Sequence, residues 1–454
     1  MRFSDFNQFC LYMESFTNLE RKNSHYTPRE YRLDRMEKLL KHLGNPEKSY
    51  KTIHLAGSKG KGSTAIFLAQ GLTALGYKTG LYSSPHLIDY RERFTLSGTF
   101  FSEEELVAVA NSLVEMLANF SFSDASGVSE PTTFELYTAY AYLLFKATNC
   151  AWAVIETGLG GRLDATNTLL PQGCVITPIE LEHTAILGHT LSLIATEKAK
   201  IIKENTPVFI SRQNYRVREV LLKEAAAKNA HLWDLEAAVE SLATKTTNEG
   251  EVVKITWITG DETNLLLQMR GEAQAENSAL ALLVLKELGL YQPTLTEKAI
   301  MEAKLPGRME ILGGPPPLVI DGAHTTESLR HLLNSFVQLY GKQDNTLIFG
   351  ALEGKDHTHM AHLFLPLFTN VIVCRPGTFK QSDIVKLYKL LQEEAKKLKV
   401  EVNLFFEPEA GEALSLAYSL TTRTNAILCT GSFYLGGDVT KAYQARQVDE
   451  SKLA

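Results

Sequence analysis

The sequence predicts an α/β protein of two doubly wound domains, each with a parallel sheet covered by helices. Short apolar, β-branched runs alternate with helical patterns along most of the 454 residues, which is typical of successive βαβ units. Domains usually hold about 100–200 residues, so a chain of this length favours two or three. The stretch from Pro306 to Pro317, rich in proline and glycine, cannot continue a helix and separates two such segments.

Composition excludes several classes of protein. Hydrophobic residues make up 44% and charged residues 22% of the chain, an ordinary globular balance. The net charge of −6 and the absence of a basic stripe argue against a nucleic-acid partner. No apolar run approaches the about 18 residues that cross a bilayer, and the N-terminus does not resemble a signal peptide. We therefore expect a cytoplasmic protein with no membrane partner.

The five cysteines are dispersed and include no C-x-x-C pair. They are Cys10, Cys150, Cys174, Cys374 and Cys429. This pattern predicts buried small side chains, not a disulfide framework or a zinc site.

Apolar runs predict the strands of both sheets. The predicted strands are Thr52–Ala56, Thr79–Ser83, Trp152–Glu156, Cys174–Ile179, Val208–Ile210, Leu318–Ile320, Thr346–Phe349, Val371–Cys374 and Ala426–Cys429. The polar stretch Ala243–Met269, with turns near Gly250 and Gly260, predicts a small antiparallel sheet at the edge of the first domain. A helix over Ala275–Leu288 follows, and we place the domains at residues 1–304 and 305–454.

The first strand is followed by a glycine-rich loop, Gly57-Ser-Lys-Gly-Lys-Gly-Ser63, and then by a helical pattern. Glycines let successive N–H groups converge on phosphate oxygens, and the start of a helix adds its dipole. Lys61 adds a positive charge, and Ser63 adds a hydroxyl near a metal. The usual G-x-x-x-x-G-K-[ST] pattern is not matched, because Gly62 separates the lysine from the serine. Nucleotide binding is favoured over a plain surface turn.

Polar residues follow three other predicted strands. Glu156 ends one strand, Ser84 directly follows another, and His183 lies just beyond a third. The carboxyl ends of parallel strands meet at one edge of a sheet, where such folds bind ligands. A carboxylate there suits Mg²⁺. Taken singly, Glu156 as a solvent-facing residue and His183 as a loop histidine are the ordinary alternatives.

Together the motifs resemble the folylpolyglutamate synthase and dihydrofolate synthase family of the Mur ligase superfamily, over nearly the whole chain. The matching segments are Tyr31–Arg35, Leu43–Pro46, Gly57–Ser63, Ser84–His86, Thr132–Glu135, Glu156–Asn167, Glu182–Thr190, Glu197–Ala199, Pro306–Glu310, Asp321–His324 and Gly431–Gly437.

The resemblance implies an N-terminal P-loop ATPase domain of the Mur ligase central type and a smaller Rossmann-like C-terminal domain, with ATP between them. It implies ATP-dependent addition of L-glutamate to a folate carboxylate through an acyl phosphate, with ATP as co-substrate and two Mg²⁺ ions. Dihydropteroate is a second acceptor that the resemblance allows. We expect a monomer.

The resemblance also implies roles for individual residues. Catalysis falls to Lys61, Lys198, His183 and Arg308. Binding of ATP falls to Gly60, Lys61, Gly62, Ser63, Asn277, Arg308, Asp321 and His324. Binding of the acceptor falls to Thr132, Thr133, Phe134, Glu135, Leu163, Asp164 and Ala165. The metal ligands would be Ser84, Glu156, His183 and Lys198, the last as a carbamate.

Some of these residues have plainer interpretations. Lys198 by itself resembles a solvated lysine in a helical run, Thr196–Lys203. Arg308 could instead pair with Glu310, and Phe134 could be a core aromatic residue.

The chain departs from the family pattern near the ATP and metal sites. The departures are Ser58, Lys59, Glu182, Lys200, Ala273 and Thr325. These departures are compatible with slow catalysis or an altered substrate specificity. Two alternatives therefore stand beside the ligase: a degenerate paralogue that binds folate or nucleotide, and another Mur-type amino acid ligase.

Overall fold

The computed structural model describes residues 2–18, 33–122, 130–342, 344–377 and 382–453, without the side chains of 449–453. Tyr31 and Arg32, from the first matching segment, lie outside the described residues. The strands are β1 (Lys51–Ala56), β2 (Thr79–Tyr82), β3 (Phe94–Leu96), β4 (Thr99–Phe100), β5 (Trp152–Glu156), β6 (Gly173–Ile176), β7 (Val208–Ile210), β8 (Leu232–Asp234), β9 (Val239–Thr246), β10 (Glu251–Trp257), β11 (Glu262–Leu267), β12 (Glu310–Leu312), β13 (Leu318–Ile320), β14 (Thr346–Phe349), β15 (Asn370–Val373), β16 (Asn403–Phe406) and β17 (Ile427–Thr430).

The helices alternate with the strands in both halves of the chain. They are α1 (Phe6–Glu14), α2 (Leu33–His42), α3 (Lys61–Ala74), α4 (Glu103–Leu117), α5 (Thr133–Ala147), α6 (Thr184–Leu187), α7 (Leu191–Ala199), α8 (Tyr215–Ala227), α9 (Leu235–Ala238), α10 (Ala273–Glu287), α11 (Pro293–Glu302), α12 (Thr326–Tyr340), α13 (His357–Phe364), α14 (Ile384–Leu398), α15 (Ala410–Leu420) and α16 (Phe433–Leu453). Within the described residues, no helix is long and apolar enough to cross a membrane.

The chain forms two compact units. The first comprises Met1–Ala243, Val253–Leu265 and Gln274–Lys304, and the second comprises Thr244–Val252, Leu266–Ala273 and Leu305–Ala454. The α/β architecture with parallel sheets in two units confirms the predicted fold class.

The first unit contains an eight-stranded sheet in the order β4-β3-β2-β5-β1-β6-β7-β8. From β2 to β8 neighbouring strands are parallel, and only β3 and β4 run antiparallel at one edge. The predicted strands of this sheet are confirmed. The strands β3, β4 and β8 were not predicted, because these runs of two or three residues mix polar and apolar side chains, whereas β7, equally short, is wholly apolar.

The central strand β1 determines where the functional loops lie. It is buried from Thr52 to Ala56 and pairs with β5 on one side and β6 on the other. Since β2, β5, β1 and β6 are parallel, the segments that follow them start at the same edge of the sheet. The glycine-rich loop, Ser84, the residues after Glu156 and the segment leading to His183 all begin there.

Helix α3 follows the glycine-rich loop and is almost wholly enclosed. Ala65, Leu68 and Leu72 are buried, and so are Ile66 and Phe67 on its other sides. The chain then turns at Gly76, whose φ of 88° lies in the left-handed region that favours glycine.

A separate three-stranded sheet has the order β11-β10-β9. Thr247 and Gly250 exchange backbone hydrogen bonds in the first connection, and Trp257 donates its N–H to Asp261 across the second. Both turns lie where the sequence predicted them. The division into compact units passes through this sheet, because residues 244–252 and 266–273 belong to the second unit.

The second unit contains a six-stranded sheet in the order β12-β13-β17-β14-β15-β16. Only the edge pair β12 and β13 is antiparallel. The central strands are fully buried between two apolar layers that the helices complete. All five cysteines of the chain are free and buried, as the sequence predicted.

A buried ion pair ties α2 to the start of α5. Arg35 Nη2 lies 3.1 Å from Glu135 Oε2, and the two side chains are 2% and 9% exposed. The same nitrogen donates to the carbonyl oxygen of Glu130. Thr132 and Glu135 also form a capping box, in which each side chain accepts the other residue's backbone N–H. The pair therefore fixes both α2 and the first turn of α5.

We predict that Arg35→Ala lowers the free energy of unfolding by about 3–5 kcal/mol, because it leaves the Glu135 carboxylate buried without its cation. Urea denaturation measures the change. The control is Arg162→Ala, which removes a solvent-exposed pair with Glu197 and should cost less than about 1 kcal/mol. Equal losses in the two variants would contradict the structural role assigned to Arg35.

Candidate active site

The glycine-rich loop turns sharply between β1 and α3. The N–H groups of Ser58 and Lys59 both donate to the carbonyl oxygen of Pro178, at 2.8 and 3.2 Å. Gly60, with φ 80°, precedes α3, which begins at Lys61. The first N–H groups of a helix have no acceptor within it, so the first turn of α3 is a suitable anion site.

Two glycines of the loop are required by their neighbours. A Cβ on Gly57 would lie 1.8 Å from Thr177 Oγ1, and a Cβ on Gly60 would lie 2.3 Å from Asn277 Oδ1. Asn277 is buried, and its Oδ1 is also 3.5 Å from Thr64 Oγ1, while its amide donates to Gln274. The structure therefore brings Asn277 against the loop.

Two lysines converge on one carbonyl oxygen. Lys61 Nζ and Lys198 Nζ lie 2.9 and 2.7 Å from the oxygen of Gly57. Each ammonium group has a carboxylate partner: Glu156 Oε1 is 4.0 Å from Lys61, and Glu182 Oε1 is 2.9 Å from Lys198. The loop thus has two cations and two anions beside it. The two lysines can neutralise a phosphate, while the two carboxylates balance the lysine charges before a ligand binds.

Lys198 is not the solvated lysine that its sequence context resembled. Its side chain is 2% exposed. Burial lowers the pKa of Lys198, while the Glu182 carboxylate acts in the opposite direction. Burial also opposes ionisation of Glu182, but Lys198, Lys61 and His183 outweigh it and lower the pKa of Glu182 to about 2.

The helical run around Lys198 also differs from the predicted one. Helix α7 is Leu191–Ala199, so it starts earlier and ends earlier than the predicted Thr196–Lys203. Lys200 follows the helix and points its ammonium group at Glu224, 2.7 Å away.

The predicted metal ligands lie partly together. Glu156 is 4% exposed at the carboxyl end of β5, and its Oε2 accepts the N–H of Ser84 at 3.3 Å. His183 is exposed, has a φ of 46° and precedes α6. Among the described residues, no three His, Cys, Asp or Glu side chains group as a metal site. One carboxylate with a hydroxyl beside a phosphate loop nevertheless fits Mg²⁺, which takes most of its other ligands from water and phosphate.

One predicted acceptor segment, Thr132–Glu135, contacts the loop that leads to the other, Leu163–Ala165. A Cβ on Gly158 would lie 2.4 Å from Cζ of Phe134, so that ring covers the loop after β5. Thr132 and Glu135 cap α5, and Thr133 Oγ1 donates to the carbonyl oxygen of Met13. Phe134 is therefore the member of this segment whose side chain faces the loop.

The loop after β5 is held from within by Asp164. Its Oδ2 accepts the N–H of Leu159 at 2.8 Å, and its Oδ1 accepts the N–H of Thr166 at 3.0 Å. Burial raises the pKa of Asp164. Leu163 is partly exposed, whereas Ala165 is buried at the start of a 3-10 helix, Ala165–Thr168.

In the second unit, Phe433 brings the predicted residues together. The Arg308 guanidinium lies 4.3 Å from the ring centroid of Phe433, and the ring of His324 is 6.3 Å away. Asp321 accepts the N–H groups of Met309 and Ala323, both at 2.8 Å. No role was predicted for Phe433. Phe433 lies in the segment Gly431–Gly437, which matches the family pattern. The sequence alone does not show that this segment contacts Arg308.

Comparisons with known proteins identify the family of this chain. Residues 307–433 match the family described as Mur ligase, glutamate ligase domain. The dihydrofolate synthase/folylpolyglutamate synthase of Bacillus subtilis (strain 168) is 30% identical over 416 residues, which cover 90% of this chain and 94% of that protein.

Solved structures give the same result. The folylpolyglutamate synthase of Mycobacterium tuberculosis, solved with ADP and AMPPCP, superposes with a TM-score of 0.85 at 27% identity, covering 97% of this chain and 99% of that one. The E. coli FolC structure with DHPP and ADP has a TM-score of 0.81 at 25% identity, covering 98% and 99%.

The fold, the loop and the C-terminal match define a Mur-type ligase with an N-terminal ATPase unit. Within that class, the chain belongs to the dihydrofolate synthase/folylpolyglutamate synthase family.

We predict that Gly60→Ala destabilises the first unit by about 1–3 kcal/mol, because alanine is strained at positive φ. The added methyl group also meets Asn277 Oδ1. Thermal unfolding of Gly60→Ala, Asn277→Ala and the double variant measures the contribution of that contact. The double variant should lose less stability than the sum of the two single changes. Strict additivity would contradict the contact.

Proposed function

We propose that this protein is an ATP-dependent ligase that adds L-glutamate to the carboxylate of a folate. One observation carries the proposal: in a chain of this family, Lys61 and Lys198 converge on the carbonyl oxygen of Gly57 in the glycine-rich loop, and Glu156 lies beside Lys61. That arrangement suits the phosphates of a nucleotide and their metal ion.

The chemistry follows from the substrates. A carboxylate is a poor electrophile, so one of its oxygens first attacks the γ-phosphorus of ATP and releases ADP. The glutamate amine then attacks the acyl phosphate carbon, loses a proton, and expels inorganic phosphate as the amide forms. The protein needs no nucleophile of its own, and it contributes by positioning the reactants and neutralising charge.

We assign these tasks to particular residues. Gly60, Gly62 and Ser63 hold phosphate through backbone N–H groups, and Lys61 supplies the positive charge. As the resemblance to the family implies, ATP binding is also assigned to Asn277, Arg308, Asp321 and His324. Arg308 is suited to phosphate because its planar guanidinium donates in pairs.

Mg²⁺ would be held by Glu156, Ser84 and His183, and when bound it would neutralise phosphate charge. A second Mg²⁺ would be held by Lys198 after its amine reacts with CO₂ to form a carbamate and release a proton. The neutral amine is the reactive form, and the burial of Lys198 favours that form.

The acceptor would lie at Thr132–Glu135 and Leu163–Ala165, with Phe134 presenting its ring and the loop its backbone. We propose that residues 1–304 bind ATP and folate and that residues 305–454 carry the glutamate ligase function. We also propose that the protein acts as a monomer in the cytoplasm, where ATP and folates are available. Dihydropteroate is a second acceptor, which gives dihydrofolate synthase activity.

The proposal is tested by ADP release with tetrahydrofolate or dihydropteroate, each with and without L-glutamate. The expected result is release that depends on both acceptor and glutamate. Lys61→Ala should reduce it at least about 100-fold, the scale of losing a group that stabilises transition-state charge. Its control, Lys51→Ala, removes an exposed lysine at the opposite end of β1 and should leave the rate unchanged. Ligand binding without turnover would instead indicate the degenerate paralogue.

We predict that Lys198→Ala also abolishes ligation and that acetate restores part of it, since a small carboxylate can occupy the space of the carbamate. The control is Lys200→Ala, which removes the ammonium group that points at Glu224 and should retain most activity. Initial rates with and without about 50 mM acetate measure the rescue, a carboxylate concentration suited to weak binding. Near-normal rates in Lys198→Ala would refute the second-metal role, and loss without rescue would argue against the carbamate.

A further inference from the structure

A buried chain of hydrogen bonds runs from the middle of β1 to the acceptor loop. His54 is 0% exposed, and its Nε2 lies 2.8 Å from Thr166 Oγ1. Thr166 is also fully buried, and its hydroxyl lies 2.5 Å from Asp164 Oδ1. Asp164 in turn accepts the N–H of Leu159. Three side chains thus connect the strand before the phosphate loop with the segment after Glu156.

The direction of each bond is determined by the number of available protons. A threonine hydroxyl has one proton, and the adjacent carboxylate oxygen accepts it. Thr166 Oγ1 can therefore only accept from His54, so the proton of the His54 ring lies on Nε2. The other nitrogen, Nδ1, is buried and has no hydrogen-bond partner among the described residues.

A buried histidine with one unpaired nitrogen lowers the stability of the fold, which is unusual for a residue with a purely structural role. An unpaired buried acceptor costs about 1–3 kcal/mol, and an aliphatic side chain would fill the centre of a parallel strand without that cost. The neighbours of His54 on either strand, Ile155 and Cys174, are both apolar. The hydrogen bond to Thr166 is therefore what the imidazole provides that an aliphatic side chain would not. That bond fixes the loop after β5.

Two other side chains contact the end of the same loop. The hydroxyl of Tyr142 donates to the carbonyl oxygen of Thr166 at 3.3 Å. Lys203 Nζ donates to both oxygens of Asn167 at 2.8 Å. These contacts fix the end of the loop, whereas the bonds from His54 through Asp164 reach back to Leu159, beside the glycine that Phe134 covers.

We propose that His54 is a positioning residue for the folate acceptor: through Thr166 and Asp164 it sets the conformation of residues 158–166 and so the affinity for the pteroate portion. The proposal rests on the assignment of this loop to the acceptor. It does not involve the ATP site, whose loop follows His54 in sequence but is held by Pro178 and Asn277.

The first test is His54→Leu, which removes the donor and leaves Thr166 Oγ1 without one. We expect the KM for the folate acceptor to rise about tenfold, the ratio given by loss of one buried hydrogen bond, with the KM for ATP unchanged. His54→Gln can still donate through its amide and should restore the lower KM. Equilibrium binding of dihydropteroate, followed by protein fluorescence, should weaken by the same factor in His54→Leu.

Two further variants separate positioning from stability. Thr166→Val should raise the acceptor KM as His54→Leu does, and the double variant should be no worse than either single one, since both break the same chain. Cys174→Ala alters an equally buried neighbour on β6 and should lower the melting temperature without changing the acceptor KM.

The outcomes are distinct. Turnover by the wild-type enzyme with an unchanged acceptor KM in His54→Leu and Thr166→Val would overturn the proposal and leave the ligase function intact. A wild-type enzyme that binds tetrahydrofolate or dihydropteroate but turns over neither would refute the ligase function, and the binding constants would still decide the role of His54. Failure of the wild-type enzyme to bind either acceptor would overturn both.

Discussion

The carbonyl oxygen of Gly57 is the point on which the first unit's proposed chemistry depends. Lys61 and Lys198 both donate to that oxygen, at 2.9 and 2.7 Å, and two ammonium groups this close to one atom repel each other. Both can lie there because Glu156 and Glu182 stand beside them and because the oxygen itself carries partial negative charge. Gly57 cannot be replaced, since a Cβ would lie within bonding distance of Thr177. The backbone of Gly57 therefore determines both the position of the loop and the placement of the two lysines around it.

The parallel sheet brings the groups around this loop together through its strand order. Because β1 lies between β5 and β6, Glu156 arrives from one neighbour and the Glu182–His183 segment from the other. Lys198 comes from α7, later in the same connection between β6 and β7. Residues separated by more than a hundred positions thus surround one loop, and among Glu156, Glu182, His183 and Lys198 only His183 has a positive φ.

Much of this could be predicted from the sequence. Strand ends such as Glu156 and Ser84 are visible because β5 and β2 are continuous apolar runs, and the start of α3 follows from the glycines before it. The burial of Lys198 could not be predicted, because its segment contains other lysines and its partner Glu182 is 16 residues away. The pairs Arg35–Glu135 and His54–Thr166 span 100 and 112 residues, so no local pattern reveals them. The placement of Phe433 against Arg308 likewise depends on the sheet of the second unit.

The segment Thr132–Glu135 illustrates how a recognition motif can be constrained by folding itself. Its threonine and its glutamate complete the capping box of α5, and the glutamate also binds Arg35. Selection for a stable helix start would preserve these side chains even in a descendant that had lost its substrate. A motif search would then still report an acceptor site in that descendant. Phe134, whose ring faces the loop and takes no part in the cap, is the more informative position for judging whether a divergent relative has kept its ligand.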